Sequence, residues 1–262
     1  MKIGVCRGLN DFTAMYHASL AGVDYYEVGF GSLSKFTDDE IKKSIEKLQE
    51  YNLPCTVANG FIPGDLKVVG ESVDYDALTA YMETGFQRAK EIGVKKIVFG
   101  SGKARSFDEG FCPEKAKEQF IYFLSDYASP LAKAADCTIV IEPLRFCESS
   151  MIYTVSDAVS IAKLCGKDNI FALADLYHVY GNSDDLSEIS SFNGFVTHSH
   201  IAEPEKRIYP SLTDKDEVQN IYKKFFGTLM SVGCDTCSVE AHTDNFSKDI
   251  VSFMDLFKSL NL

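Results

Sequence analysis

The chain has 262 residues, of which 45% are hydrophobic and 24% are charged. This length and composition allow a large buried core and fit the usual size of one α/β barrel, so we expect one domain over residues 1–262. The formal net charge is −12. Such a negative surface repels phosphate backbones and anionic lipid heads, which argues against nucleic acid and membranes as partners.

Short β-rich segments alternate with longer amphipathic segments along the whole chain. The predicted strands are Ile3–Cys6, Tyr25–Val28, Cys55–Ala58, Lys96–Phe99, Thr138–Glu142, Phe171–Ala174, Phe195–His200 and Thr236–Glu240. The amphipathic segments between them include Thr37–Tyr51, Tyr75–Ile92, Pro113–Ala135, Thr154–Leu164, Lys215–Val232 and Asn245–Leu260. This alternation is typical of a parallel sheet built from βα units.

Eight evenly spaced βα units favour a closed (β/α)8 TIM barrel over an open doubly wound sheet. The dinucleotide fingerprint G-x-G-x-x-G does not follow the first strand, where the sequence runs Cys6–Asn10. The segment Phe99–Arg105 after the fourth strand is rich in glycine but lacks the spacing of a phosphate-binding loop. We interpret it as a tight βα turn with two solvated bases, Lys103 and Arg105.

The protein is expected to be cytoplasmic. The first residues already read as a strand, and no apolar run is long enough to span a membrane. The eight cysteines lie mostly inside apolar runs, and a chain of this size needs no disulfide framework. We therefore predict reduced, buried thiols.

Ligand-type side chains end four consecutive predicted strands. Glu142 closes the fifth strand, Asp175 follows the sixth, His200 closes the seventh and Glu240 closes the eighth. In a closed barrel, the carboxyl ends of the strands meet on one face, and that face carries the active site. Four of the five histidines also lie in these segments, namely His178, His198, His200 and His242.

Three carboxylates brought together without a cation would repel one another and force protonation, whereas a divalent ion keeps all three ionised. The ligand set is hard and mostly oxygen, which favours Mn²⁺ or Mg²⁺, tolerates Co²⁺ and is compatible with Zn²⁺. Two open positions on an octahedral ion would accept neighbouring oxygens of an α-hydroxyketone and stabilise an enediolate. A carboxylate on each side could then move the proton.

With these motifs the chain resembles the xylose isomerase-like TIM barrel superfamily, and within it the sugar phosphate isomerase/epimerase group that includes ketose 3-epimerases. The resemblance spans nearly the whole chain. Its motifs are Glu142-Pro143 at strand five, Asp175 to His178 after strand six, His200 to Glu203 with Arg207 after strand seven, and Ser238-Val239-Glu240 at strand eight.

The resemblance implies a role for each matching residue. Glu142, Asp175, His200 and Glu240 would bind the metal, and Glu142 and Glu240 would also exchange protons with substrate carbons. Three further residues, Glu148, His178 and Arg207, would contact the substrate. His198 lies two positions before His200 and is expected to pack beneath it rather than to bind the metal.

The main prediction is a metal-dependent sugar or sugar phosphate isomerase or epimerase with a small-molecule sugar substrate. The alternatives are a keto-inositol dehydratase-type lyase on the same metal site, an apurinic endonuclease and a non-catalytic sugar-binding barrel. Related apurinic endonucleases use three zinc ions and histidines that this chain lacks at the corresponding positions. The loop Tyr209–Leu212 also departs from the glycine-rich loop of many relatives. A homo-oligomer is compatible with the sequence.

Overall fold

The computed structural model describes residues 1–261, and its sheet is a closed barrel of eight parallel strands. Each strand pairs with the next along the chain, and the eighth pairs with the first. The strands are β1 Lys2–Cys6, β2 Tyr25–Gly29, β3 Cys55–Asn59, β4 Lys96–Phe99, β5 Thr138–Ile141, β6 Ile170–Asp175, β7 Val196–Ile201 and β8 Thr236–Val239. The predicted (β/α)8 barrel is confirmed. That residues 1–262 form one domain stays a prediction.

Helices cover the outside of the barrel because each buries an apolar face against the strands. They are α1 Phe12–Ala21, α2 Phe30–Leu33, α3 Asp38–Glu50, α4 Tyr75–Ile92, α5 Pro113–Tyr122, α6 Ser129–Ala134, α7 Val155–Cys165, α8 Leu176–Gly181, α9 Asp216–Ser231 and α10 Phe246–Ser259. The short helices α2 and α8 show no sequence periodicity and were not predicted. No helix within residues 1–261 is both long and apolar enough to cross a bilayer.

The predicted helix from Pro113 to Ala135 is present, but it is not uniform. A π-helical segment, Phe123–Ala128, joins α5 to α6. Pro130 follows at the start of α6. Because proline has no N–H and its ring clashes with the carbonyl four residues earlier, the regular hydrogen-bond ladder cannot pass through it.

Two helix starts are fixed by reciprocal side-chain caps. The Thr37 hydroxyl accepts from the backbone N–H of Glu40, whose carboxylate accepts from the backbone N–H of Thr37. Thr154 and Asp157 form the same arrangement at the start of α7. These caps satisfy donors that have no partner inside the helix.

A small group of buried apolar side chains packs together in the barrel. A buried cluster contains Tyr25, Val57, Val98, Val140 and Leu173. The Tyr25 hydroxyl lies 2.8 Å from the Ser238 hydroxyl on β8, so the ring passes over the intervening strand β1. Gly4 on β1 leaves the space for this ring, since a Cβ at Gly4 would overlap it.

The cysteines are all unpaired, as predicted, but they are not all buried. Cys112 and Cys147 are exposed because they lie outside the packed elements, at the start of α5 and in the loop after β5. The prediction of buried thiols is wrong at these two positions.

We predict that Gly4→Ala lowers the free energy of unfolding by about 1–3 kcal/mol, because a methyl group there must displace the Tyr25 ring. Gly227→Ala is the matched control. Gly227 is an exposed residue of α9 with no atom within 4 Å of an added Cβ, so the same change should raise stability by up to about 1 kcal/mol. Urea denaturation of both variants tests this, and equal stabilities would contradict it.

Candidate metal centre

Four side chains from consecutive strands meet at the carboxyl end of the barrel. Glu142 directly follows β5, Asp175 ends β6, His200 lies in β7 and Glu240 directly follows β8. Each offers one ligand atom, and these four atoms all lie within 4.8 Å of one another. The structure thus brings the four residues predicted as metal ligands together.

The Nδ1 atom of His200 faces the three carboxylates. It lies 3.1 Å from Glu142 Oε1, 3.6 Å from Glu240 Oε2 and 4.0 Å from Asp175 Oδ2. Asp175 uses its other oxygen, Oδ1, to accept from the backbone N–H of Tyr177 at 2.7 Å. That cap at the start of α8 fixes the carboxylate and leaves Oδ2 directed at the centre.

The glycine-rich loop after β4 makes room for Glu142. A Cβ at Gly100 would overlap the Glu142 carboxylate. The backbone N–H of Glu142 donates to Phe99 O at 3.2 Å, which continues the pairing of β5 with β4 past the last strand residue. Glycine at position 100 therefore has a steric role at the centre.

The two predicted catalytic carboxylates differ electrostatically. Burial raises the pKa of Glu142, and the nearby charge of Glu240 adds to this effect. Burial also acts to raise the pKa of Glu240, but His200 and Arg207 outweigh it and lower that pKa to about 2. Glu240 is thus held as a carboxylate, whereas Glu142 takes up a proton more readily.

The three predicted substrate-binding residues lie beside this centre. Glu148, His178 and Arg207 line the same cavity, of about 520 Å³, as Glu142 and Glu240. His178 is buried, and its Nδ1 atom lies 3.2 Å from Glu148 Oε2 without a hydrogen-bond partner. A buried polar atom without a partner is costly, so this nitrogen is suited to binding an added group.

Arg207 is held over the centre by contacts on two sides. Its Nη2 donates to Glu240 Oε2 at 2.6 Å, and its guanidinium lies 4.9 Å from the centroid of the Tyr177 ring. The guanidinium of Arg145 lies 4.1 Å from the same ring centroid and donates to the Tyr177 hydroxyl at 2.6 Å. The Arg207 backbone has φ +56°, a conformation that non-glycine residues rarely adopt.

Glu203 and His198, two further residues noted in the sequence, support the loop after β7 and the position below His200. The Glu203 carboxylate accepts from the backbone N–H groups of Glu205 and Lys206, so it shapes the loop after β7. His198 is fully buried below His200, as expected, and its Nδ1 lies 2.9 Å from Thr236 Oγ1. His198 is not one of the four grouped ligands.

Sequence reasoning missed Glu27 in β2. This glutamate is fully buried, and its Oε1 lies 2.9 Å from Nε2 of His200. The signal was a single carboxylate inside the otherwise apolar run Tyr25–Val28. Its partner could not be read from the sequence, because the two residues lie 173 positions apart.

The interpretation of Arg105 as a solvated base is wrong, although Lys103 is exposed. Arg105 is fully buried because its loop folds back against β4, and its Nη1 donates to Phe99 O at 3.4 Å. Burial lowers its pKa to about 10, while the charge of Glu142 acts in the opposite direction. Arg105 therefore places a second cation near the carboxylates.

A second group of candidate ligands adjoins the first. Cys6, Glu27 and His200 also bring one ligand atom each to within 4.8 Å of one another. Among residues 1–261, these are the two groups close enough to hold a metal, and both include His200.

Solved structures with the same fold belong to proteins of different functions. A comparison with curated protein sequences found no significant match. D-allulose 3-epimerase from Methylomonas sp., in complex with D-allulose, has a TM-score of 0.80 and 15% identity over 99% of this chain and 96% of its own. AP endonuclease, family 2, from Brucella melitensis has a TM-score of 0.77 and 20% identity, over 95% of this chain and 97% of its own. The IolI protein with a bound zinc atom has a TM-score of 0.74 and 14% identity, over 100% of this chain and 96% of its own.

These low identities establish the fold alone, but the sequence establishes the family. The sequence model described as xylose isomerase-like TIM barrel matches residues 15–258, which is most of the chain. The resemblance seen in the strand-end motifs is thereby confirmed. The chain belongs to the xylose isomerase-like TIM barrel family.

Proposed function

We propose that this protein is a divalent-metal-dependent sugar isomerase or epimerase that acts through an enediolate. The observation that carries the proposal is the close group formed by Glu142, Asp175, His200 and Glu240, whose ligand atoms lie within 4.8 Å of one another. Two of these residues also line a cavity of about 520 Å³, large enough for a small sugar.

The chemistry of the four side chains fits one hard dication. Three carboxylates and one imidazole suit Mn²⁺ or Mg²⁺, and they also accept Co²⁺ or Zn²⁺. When bound, the ion would supply stabilisation of negative charge on adjacent sugar oxygens. A zinc atom in the similarly folded IolI structure supports the presence of a metal in this fold.

The residues around the centre have different roles in the proposed reaction, namely proton transfer and sugar binding. Glu142 and Glu240 line the same cavity and are suited to move a proton to and from a sugar carbon, and Arg207 holds Glu240 in place. We infer that His178 and Glu148, which line the cavity, orient sugar hydroxyls. The epimerase structure with bound D-allulose supports a small-molecule sugar as substrate.

A lyase that removes water from a keto-inositol would use the same metal site, and the fold is shared with an AP endonuclease. Two observations argue against the nuclease. The net charge of −12 opposes binding of nucleic acid. The two groups of candidate metal ligands within residues 1–261 share His200, so they do not offer the three metal sites of the related apurinic endonucleases. Proton NMR in D₂O distinguishes an epimerase from a lyase and from a non-catalytic barrel. Exchange of a C–H for deuterium without loss of water identifies an epimerase, and a barrel that only binds sugar gives no exchange.

A cytoplasmic location and a homo-oligomer stay predictions from the sequence.

We predict that exhaustive treatment with EDTA abolishes C–H exchange on a ketose substrate, and that Mn²⁺ restores it. The reason is that, without the dication, no group at the centre binds the adjacent sugar oxygens and stabilises negative charge on them. The measurement is a ketose panel followed by NMR in D₂O, before and after readdition. Undiminished exchange in metal-free protein would overturn the metal-dependent mechanism.

We also predict that Glu240→Gln lowers the exchange rate by at least about 100-fold, because the amide cannot accept the proton. Glu205→Gln is the matched control, since Glu205 is an exposed carboxylate in the loop that also carries Arg207. This control should exchange like the unmodified protein. If both variants behave alike, Glu240 has no specific role.

A further inference from the structure

The buried carboxylate of Glu27 connects the metal centre to the interior of the barrel. Glu27 projects from β2, and its Oε1 lies 2.9 Å from Nε2 of His200 on β7. The opposite ring nitrogen of His200, Nδ1, faces Glu142, Asp175 and Glu240. The imidazole is thus held between the centre and Glu27.

Both ring nitrogens of His200 face carboxylates, so a dication that takes Nδ1 would leave Nε2 as the nitrogen that carries the proton. An ionised carboxylate only accepts hydrogen bonds, so the close contact requires N–H at Nε2. A neutral imidazole protonated at Nε2 has its lone pair on Nδ1. The lone pair then points to the place where the other three ligand atoms meet.

The second oxygen of Glu27 is fixed by another chain of contacts. Glu27 Oε2 lies 3.3 Å from Nε2 of His198, and Nδ1 of His198 lies 2.9 Å from Thr236 Oγ1. Lys96 Nζ donates to the same Thr236 oxygen at 2.8 Å. The carboxylate is therefore held from both sides, and its orientation is set by the barrel rather than by solvent.

We propose that Glu27 is a positioning residue that orients His200 and keeps its Nδ1 atom free to bind the dication. This inference rests on the proposed metal centre. Carboxylates in this position also raise the basicity of the imidazole, and losing such a partner typically weakens metal binding about 10- to 100-fold. Glu27 touches neither the sugar cavity nor the reacting atoms.

The test is the dissociation constant of Zn²⁺, measured by competition with a chromophoric chelator on the full chain. We expect Glu27→Gln to weaken binding about 10- to 100-fold, because the amide keeps the size of the side chain but loses its charge. Tyr25→Phe is the matched control. Tyr25 lies on the same strand and also faces the interior, and the change removes a buried hydrogen bond to Ser238. The control should bind as tightly as the unmodified protein.

Nitrogen-15 NMR of the histidine rings in the zinc-loaded unmodified protein gives a second readout that does not depend on folding of the variant. We expect His200 to be protonated at Nε2. Protonation at Nδ1, unchanged affinity in Glu27→Gln or equal weakening in Tyr25→Phe would each overturn the role of Glu27 alone. Failure of the unmodified protein to bind a dication would overturn the metal centre as well.

Discussion

The structure depends on one electrostatic constraint, which is that three carboxylates and one imidazole share a small buried space. The ligand atoms of Glu142, Asp175, His200 and Glu240 lie within 4.8 Å of one another. Like charges at such distances raise pKa values or require compensation. Arg207 compensates Glu240 directly. The remaining negative charge is what a bound dication would balance.

The barrel interior supports this centre through buried side chains. Tyr25 packs there only because β1 has glycine at position 4. Glu27 forms buried hydrogen bonds with His198 and His200. The proposed ligands lie at the carboxyl end of the strands. The contact of Glu27 with His200 favours a fixed geometry of that ligand over a flexible one.

The fold and the four proposed ligands were predictable because their signals are local. Alternating strand and helix patterns give the βα units, and the carboxyl ends of parallel strands must meet at one face. Glu142, Asp175, His200 and Glu240 each stand where a strand ends, so this rule alone placed them together. The short helix α8, which carries His178, has too few residues for a periodic pattern.

The supporting residues were not predictable because their partners lie far away in the sequence. Glu27 is one charged residue in an apolar strand. Its contact with His200 becomes evident only when the folded barrel brings the side chains of β2 and β7 together. Arg105 lies in a glycine-rich loop, where charged side chains are usually solvated. Only the folded loop shows that it is buried near Glu142.

The most direct test of the account is X-ray absorption spectroscopy of the protein loaded with one equivalent of Zn²⁺. The account predicts a first shell of oxygen and nitrogen at about 2.0–2.2 Å, with the outer-shell scattering of a single imidazole. A sulfur neighbour at about 2.3 Å would contradict it. That result would place the metal between Cys6, Glu27 and His200 instead of among the four rim residues.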